Sequence, residues 1–204
     1  MRRMVWVIVV PRESSVGLAI YGDGIGPKRV YRFWLAFILL TVSLVQAAEP
    51  AVEEYQVKAA FLFNFAKFIQ WPASAFQSAD EPISICVFGK NPFGFALEDA
   101  VRGNTVGGRG FAVREVSSAR QAAPCHILFV ESSKQKQVRQ LCEELKGLSI
   151  LTVGDTEDFT ANGGVINFKL KDARVRFEIA VGAAERAKLR ISSKLLSLAE
   201  TTKK

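Results

Sequence analysis

Residues 165–179 read VINFKLKDARVRFEI, and this stretch decides how the fold ends. Val165 to Leu170 and Arg174 to Ile179 alternate apolar and polar residues with a period of two, the pattern of half-buried strands. Lys171-Asp172-Ala173 between them is a β-hairpin signal. Ile166, Phe168 and Leu170 then point inward with Val175, Phe177 and Ile179. The other face carries Asn167, Lys169, Arg174, Arg176 and Glu178. A terminal hairpin covered on one face leaves its other face available, so Arg176 and Glu178, together with Asn167, are candidate partner-binding residues. An ordinary solvated strand face fits the same pattern. Helical sequence follows from Gly182 to Ala199.

Upstream, apolar runs alternate with helical patterns. Ile83 to Phe88 (ISICVF) is a short strand closed by Gly89, and Asn91-Pro92 opens a helix through Val101 that Gly103 stops. After a turn at Gly107-Gly108-Arg109-Gly110, Phe111 to Val116 alternates as a strand. His126 to Val130 is a buried-type strand, followed by a helix over Lys134 to Leu145, a strand over Ser149 to Val153 and a short helix over Asp155 to Ala161. A long helix precedes all of these. Glu53 to Trp71 has no Gly or Pro; Val57, Phe61, Asn64/Phe65, Phe68 and Ile69 follow the 3.6-residue period, and Pro72 ends it. Its phenylalanines read as core. Repeated strand–helix units with apolar strands predict a single α/β domain: a mixed β-sheet flanked by helices, with a C-terminal β-hairpin.

The N-terminus is of another kind. Lys28, Arg29 and Arg32 precede the apolar run Phe33 to Val45, and Val45-Gln46-Ala47 offers small or β-branched residues to a signal peptidase. A basic region, 13 apolar residues and a small-residue site describe a secretory signal peptide, cleaved after Ala47 or one residue later. Thirteen helical residues span about 20 Å, short of a hydrocarbon core of about 30 Å, although an uncleaved anchor is the alternative. Gly22, Gly24 and Gly26 imitate a phosphate loop but lack a strand–turn–helix setting. The expected division is therefore an extension and signal peptide over 1–47 and an α/β domain over 48–204. Of 204 residues, 27 are Lys or Arg and 20 Asp or Glu, a net charge of +7. Residues 1–47 hold six basic and two acidic residues, leaving 21 basic and 18 acidic in the domain, so the charge makes no case for nucleic acid.

Catalytic chemistry has little to work with. His126 is the single histidine, which removes most His-based metal sites and leaves any hydrolase triad dependent on it. Its neighbour Cys125 would point to the opposite face of a strand, so the two cannot make a thiolate–imidazole contact. His126 reads as a packed or capping residue. In an exported chain Cys86 and Cys125 lie on strands that can be neighbours, which leaves two options, a disulfide or two buried thiols. Cys142 shares a helical face with Val138, Leu141 and Leu145 and reads as a buried free thiol. Asp155, Asp158 and Asp172 sit where Asp is common for local reasons. No catalytic set, metal set or cofactor motif is read from the chain.

Several blocks together resemble the YfiR family of small periplasmic regulators. They are Val57 to Pro72 (VKAAFLFNFAKFIQWP), Ile85 to Gly89, Asn91 to Gly94, Cys125 to Phe129, Leu151 to Asp155 and, most densely, Gly163 to Ala199. The resemblance covers essentially the whole domain, with the blocks in order. It implies a mixed α/β fold, often dimeric, and a binding role instead of an enzyme. Proteins of this type hold the inner-membrane diguanylate cyclase YfiN inactive through its periplasmic part, lowering cyclic di-GMP and biofilm formation. An outer-membrane lipoprotein, YfiB, can sequester them. The resemblance also favours the Cys86–Cys125 disulfide and matches Glu178 to a family glutamate near the partner-binding surface. With no Cys after Cys142, a second bridge around the last hairpin is impossible here. The competing expectation is a periplasmic small-molecule binding module serving a different sensor or transporter.

Overall fold

A computed structural model of the chain describes residues 49–203. The signal peptide, its cleavage site and the domain boundary expected at 47/48 lie outside these residues. In chain order the elements are α1 (Glu49–Phe68), β1 (Ile69–Gln70), β2 (Ile83–Phe88), α2 (Ala96–Val101), β3 (Phe111–Val116), α3 (Ala119–Ala122), β4 (Ile127–Val130), α4 (Val138–Glu144) and β5 (Leu151–Gly154). There follow β6 (Ile166–Lys171), β7 (Arg174–Ala180), α5 (Val181–Arg186), β8 (Arg190–Ile191), α6 (Ser193–Leu198) and β9 (Thr201–Lys203).

Seven strands form one mixed sheet in the order β3-β2-β4-β5-β6-β7-β9. β3 through β6 pair in parallel, β6 and β7 are antiparallel, and β9 returns parallel to β7. β1 and β8 make a separate two-stranded ribbon that ties the end of α1 to the C-terminal region. The expected mixed sheet with its C-terminal hairpin is present, and β9 adds a strand in the tail after Ala199, to which the sequence reading assigned no element.

Strand alternation sorts the core into two layers. Ile83, Ile85 and Val87, Ile127 and Phe129, Leu151 and Val153, Ile166 and Phe168, and Phe177 and Ile179 face one side, against buried residues of α1, α2, α5 and α6. Cys86, Phe88, Val116, Leu128 and Val130 face the other side, against α3, α4 and Phe159. This is why β2, β4 and β5 are buried at every residue: a parallel strand covered on both faces has no polar side to show. On the α1 side Phe65 is fully buried, its ring 5.7 Å from Phe168 and 5.2 Å from Phe177, with Phe61 5.9 Å away. Each such ring contributes about 1.5–3 kcal/mol by burial.

Element boundaries differ from the sequence reading in instructive ways. The long helix ends at Phe68, three residues before Trp71, because Ile69 and Gln70 pair with Ile191 and Arg190. Its buried stripe is Lys58, Ala59, Leu62, Phe65 and Ala66, continued by Ile69 of β1, whereas Val57 is 40% exposed. Asn91 does not open a helix: its Oδ1 accepts the Phe93 N–H, a local turn, and α2 begins only at Ala96. Ser132–Gln137 winds as a 3-10 helix before α4. The helix expected over Asp155 to Ala161 is a run of turns, interrupted where Asp158 takes φ +57°.

Candidate functional site

The hairpin has two unlike ends. Its register pairs Ile166 with Ile179, Asn167 with Glu178, Phe168 with Phe177, Lys169 with Arg176 and Leu170 with Val175, as the alternation requires. The loop is Asp172-Ala173, both with positive φ (+50° and +55°), the two-residue geometry that suits the twist of the strands. At the distal end Leu170 is 59% exposed and Val175 half-buried on one face, and Lys169, Lys171, Arg174 and Arg176 are exposed on the other. Lys171 Nζ meets Glu200 Oε1 at 2.7 Å, which lowers the Glu200 pKa. The inward position expected for Leu170 is therefore corrected: the hairpin outruns the helices that cover its root.

At the proximal end the expected open face is closed. Asn167 and Glu178 are each only 2% exposed, so of the three candidate partner-binding residues Arg176 alone lies at the surface. The turns after β5 are responsible. Phe159 is buried so tightly against Gly154 and Gly164 that a Cβ at either glycine would lie within 2.5 Å of its ring. This seats Thr160 to donate its hydroxyl to Glu178 Oε1 at 2.8 Å, while Lys169 Nζ sits 2.7 Å from Glu178 Oε2. Glu178 thus organises the hairpin root, and Asn167 lies beside it in register.

A second polar cluster closes the carboxyl edge of the parallel strands. Lys58, 4% exposed on the inner face of α1, donates to Asp155 Oδ2 at 2.7 Å and pairs with Glu54 Oε1 at 2.5 Å. The Tyr55 hydroxyl donates to the same Asp155 oxygen at 3.1 Å. Burial and the Asp155 charge push the Tyr55 pKa far above its usual value. Connections leave β2 and β4 in opposite directions, and at such a point doubly wound sheets usually bind ligands. Here Gly89, with φ +111°, lets Glu131 and Lys134 pack against the end of β2, each about 3.2 Å from where a Cβ would stand. The sequence reading noted Asp155 but missed Lys58 and Tyr55. The Glu54/Lys58 spacing of four on one helix was the signal available.

Cys86 and Cys125 form a disulfide, with Cα atoms 6.0 Å apart, which resolves the two options in favour of the bridge. Both are buried in the layer facing α3 and α4. Cys142 is a half-buried free thiol whose pKa burial raises to about 11. His126 points away from Cys125. Its Nδ1 accepts the Ser84 N–H at 3.1 Å, so Nε2 carries the proton to the Ala75 carbonyl, also 3.1 Å away. Its ring stacks on Phe76, 4.3 Å between centroids, under the Arg109 guanidinium on the other side. Burial lowers the His126 pKa. Every polar atom of the single histidine is spent on structure. Among the described residues no group of three or more His, Cys, Asp or Glu side chains is arranged to hold a metal ion.

Comparison with known proteins gives a family. The sequence model of the family described as YfiR/HmsC-like matches residues 55–200. No curated protein matches the chain. Among solved structures it is similar to a conserved domain protein from Vibrio cholerae O1 biovar El Tor, at 10% identity and a TM-score of 0.45. That likeness covers 59% of this chain and 55% of the other, so the chain spans about half the length of the protein it matches.

Proposed function

This chain belongs to the YfiR/HmsC-like family, periplasmic regulators of cyclic di-GMP signalling that act with membrane-associated partners, and on that premise we propose that it binds and inhibits the periplasmic part of an inner-membrane diguanylate cyclase. The result would be lower cyclic di-GMP and less biofilm. Residues 48–204 are the mature, exported domain in this reading, released by cleavage after Ala47. Among the described residues no helix is long and apolar enough to cross a membrane.

The observation that supports a docking role is the distal end of the hairpin. An exposed Leu170 with Val175 beside it makes a small apolar patch on one face of the tip, and Lys169, Lys171, Arg174 and Arg176 make a basic strip on the other. A protruding tip of this kind suits insertion between partner surfaces, its apolar face giving affinity and its basic face orientation and encounter rate. Arg176 contacts the partner directly in this reading, whereas Asn167 and Glu178 hold the hairpin root from behind. A YfiB-like outer-membrane lipoprotein is the second partner in this reading, and a homodimer is the assembly that the family resemblance allows.

Two measurements test the proposal. Deleting the gene should raise cellular cyclic di-GMP, and tagged protein should capture the cyclase from solubilised membranes. Leu170→Ser with Arg176→Glu should abolish that capture while leaving the thermal unfolding midpoint in place. Unchanged cyclic di-GMP on deletion would sink the proposal.

A further inference from the structure

The sheet has one long open edge. β3 is its outermost strand on the side away from the hairpin, Phe111 to Val116. The Gly110 carbonyl accepts the Ile83 N–H at 2.9 Å, and the Val116 carbonyl accepts the Gly89 N–H at 3.3 Å. In a parallel ladder alternate residues bond the neighbouring strand, so Gly110, Ala112, Arg114 and Val116 face β2. Phe111, Val113 and Glu115 therefore turn their N–H and C=O groups outward. Just beyond them the edge is closed at both ends. Arg109 exchanges both backbone bonds with Val106, at 2.9 and 3.1 Å, and the Ser117 N–H donates to Gln121 Oε1 at 2.8 Å. The open edge is thus 111–115, centred on Val113. Native edges are commonly shielded by proline or a bulge; β3 has no proline, and its register with β2 runs unbroken from Phe111 to Val116.

We propose that this edge pairs with the same edge of a second copy of the chain, antiparallel, about a two-fold axis through Val113. Val113 then faces its own counterpart and Phe111 faces the partner's Glu115, so every outward N–H and C=O of Phe111, Val113 and Glu115 is bonded. Neighbouring registers fail. Centring the pair on Arg114 sets two like charges opposite each other. Centring it on Ala112 sets the partner's Glu115 opposite Arg109, where Val106 already occupies the edge. Charge favours the same occupant. Phe111 and Val113 line a shallow groove with Glu98, Val101, Arg102 and Asn104, and Glu115 alternates onto that face. Glu115 is exposed and makes no ion pair among the described residues. Opposite Phe111, the partner's Glu115 is delivered to the groove that holds Arg102, whose exposed pair with Asp99 at 2.8 Å leaves guanidinium donors free. On the other face the long Arg114 crosses the small Ala112. The pairing joins two seven-stranded sheets edge to edge, and β6 and β7 lie toward the far end of each, so both hairpin tips stay free. It gives a surface to the homodimer of the preceding reading and rests on that part of the reading alone.

Sedimentation velocity of the purified protein across the micromolar range tests the assignment, with no cyclase present. The native chain should dimerise reversibly. Val113→Pro removes an N–H that β2 does not use, at an edge position where proline is tolerated. Its far-ultraviolet spectrum should therefore stay native while association weakens about a hundredfold, the loss of the two bonds at the axis. Glu115→Arg should weaken association about tenfold over the two symmetric contacts, and adding Arg102→Glu should restore it. That rescue is one a folding defect does not produce, so the charge pair decides if the proline variant loses its native spectrum. Leu170→Ser should leave the dimer unchanged. A monomer at every concentration, or a dimer that both Glu115→Arg and a folded Val113→Pro leave intact, would overturn the edge pairing. Either result leaves the hairpin tip's role standing, because capture of the cyclase and cellular cyclic di-GMP test that role separately.

Discussion

The parallel block β2, β4 and β5 and the hairpin β6–β7 belong to one sheet but spend their side chains differently. Every residue of the block is buried, in one layer or the other. The hairpin is buried at its root and exposed from Lys169 to Arg174, with Val175 half-covered and Arg176 exposed beyond it. A strand covered on both faces has no free side chain with which to meet a partner, whereas a hairpin that runs past its covering helices does. Stability should therefore reside in the block and recognition in the distal hairpin.

The sharpest way to break that comparison is to remove the bridge inside the block. Cys86→Ala with Cys125→Ala opens a loop of sequence separation 39 and should cost about 4 kcal/mol on the chain-entropy scale. Chemical denaturation measures it, and a loss below about 1 kcal/mol would mean that packing alone holds these strands. Next in size is Gly164→Ala at the junction between block and hairpin. Its Cβ would lie 2.1 Å from the Phe159 ring, and the overpacking should cost about 1–3 kcal/mol. Because the Phe159 turn seats Thr160 against Glu178, partner capture should weaken as well, the one substitution in the block region that reaches the hairpin.

The third test uses pH. His126 is neutral in the folded state because burial holds its pKa below 6.5, while the unfolded chain takes up its proton near 6.5. The stability it contributes is complete above pH 6.5 and is lost as pH falls toward the lowered folded value. Denaturation midpoints at pH 8 and pH 5 should differ more for the native chain than for His126→Gln. The smallest effect lies at the hairpin loop and has the opposite sign. Ala173 sits at φ +55°, and Ala173→Gly should stabilise the protein by about 0.5–1 kcal/mol by relieving a left-handed alanine. A destabilisation there would mean that the methyl group makes a contact outweighing the strain.

Much of the fold was legible because it rests on local periodicity. The alternation of 165–179 gave the hairpin and its two faces, though Lys171 belongs to the strand and the loop is Asp172-Ala173 alone, and ISICVF and the run ending at Val130 gave the parallel strands. The candidate site was legible only in part. Arg176 was placed on the exposed face and remains there, but Asn167 and Glu178 were placed beside it and are buried. The same alternation puts all three on one face. What separates them is distance from the 155–164 turns.

The sequence by itself determined the two-layer sheet, the hairpin, the packed role of the lone histidine and, through its resemblance, the family. It did so because hydrophobic period and residue chemistry are properties of neighbours along the chain. Only the tertiary structure decided which half of the hairpin is covered and that Lys58 lies buried against Asp155, 97 residues away. Those outcomes depend on where a non-local turn comes to rest over a strand, and burial is set by what lies above a residue in space, which no local pattern records.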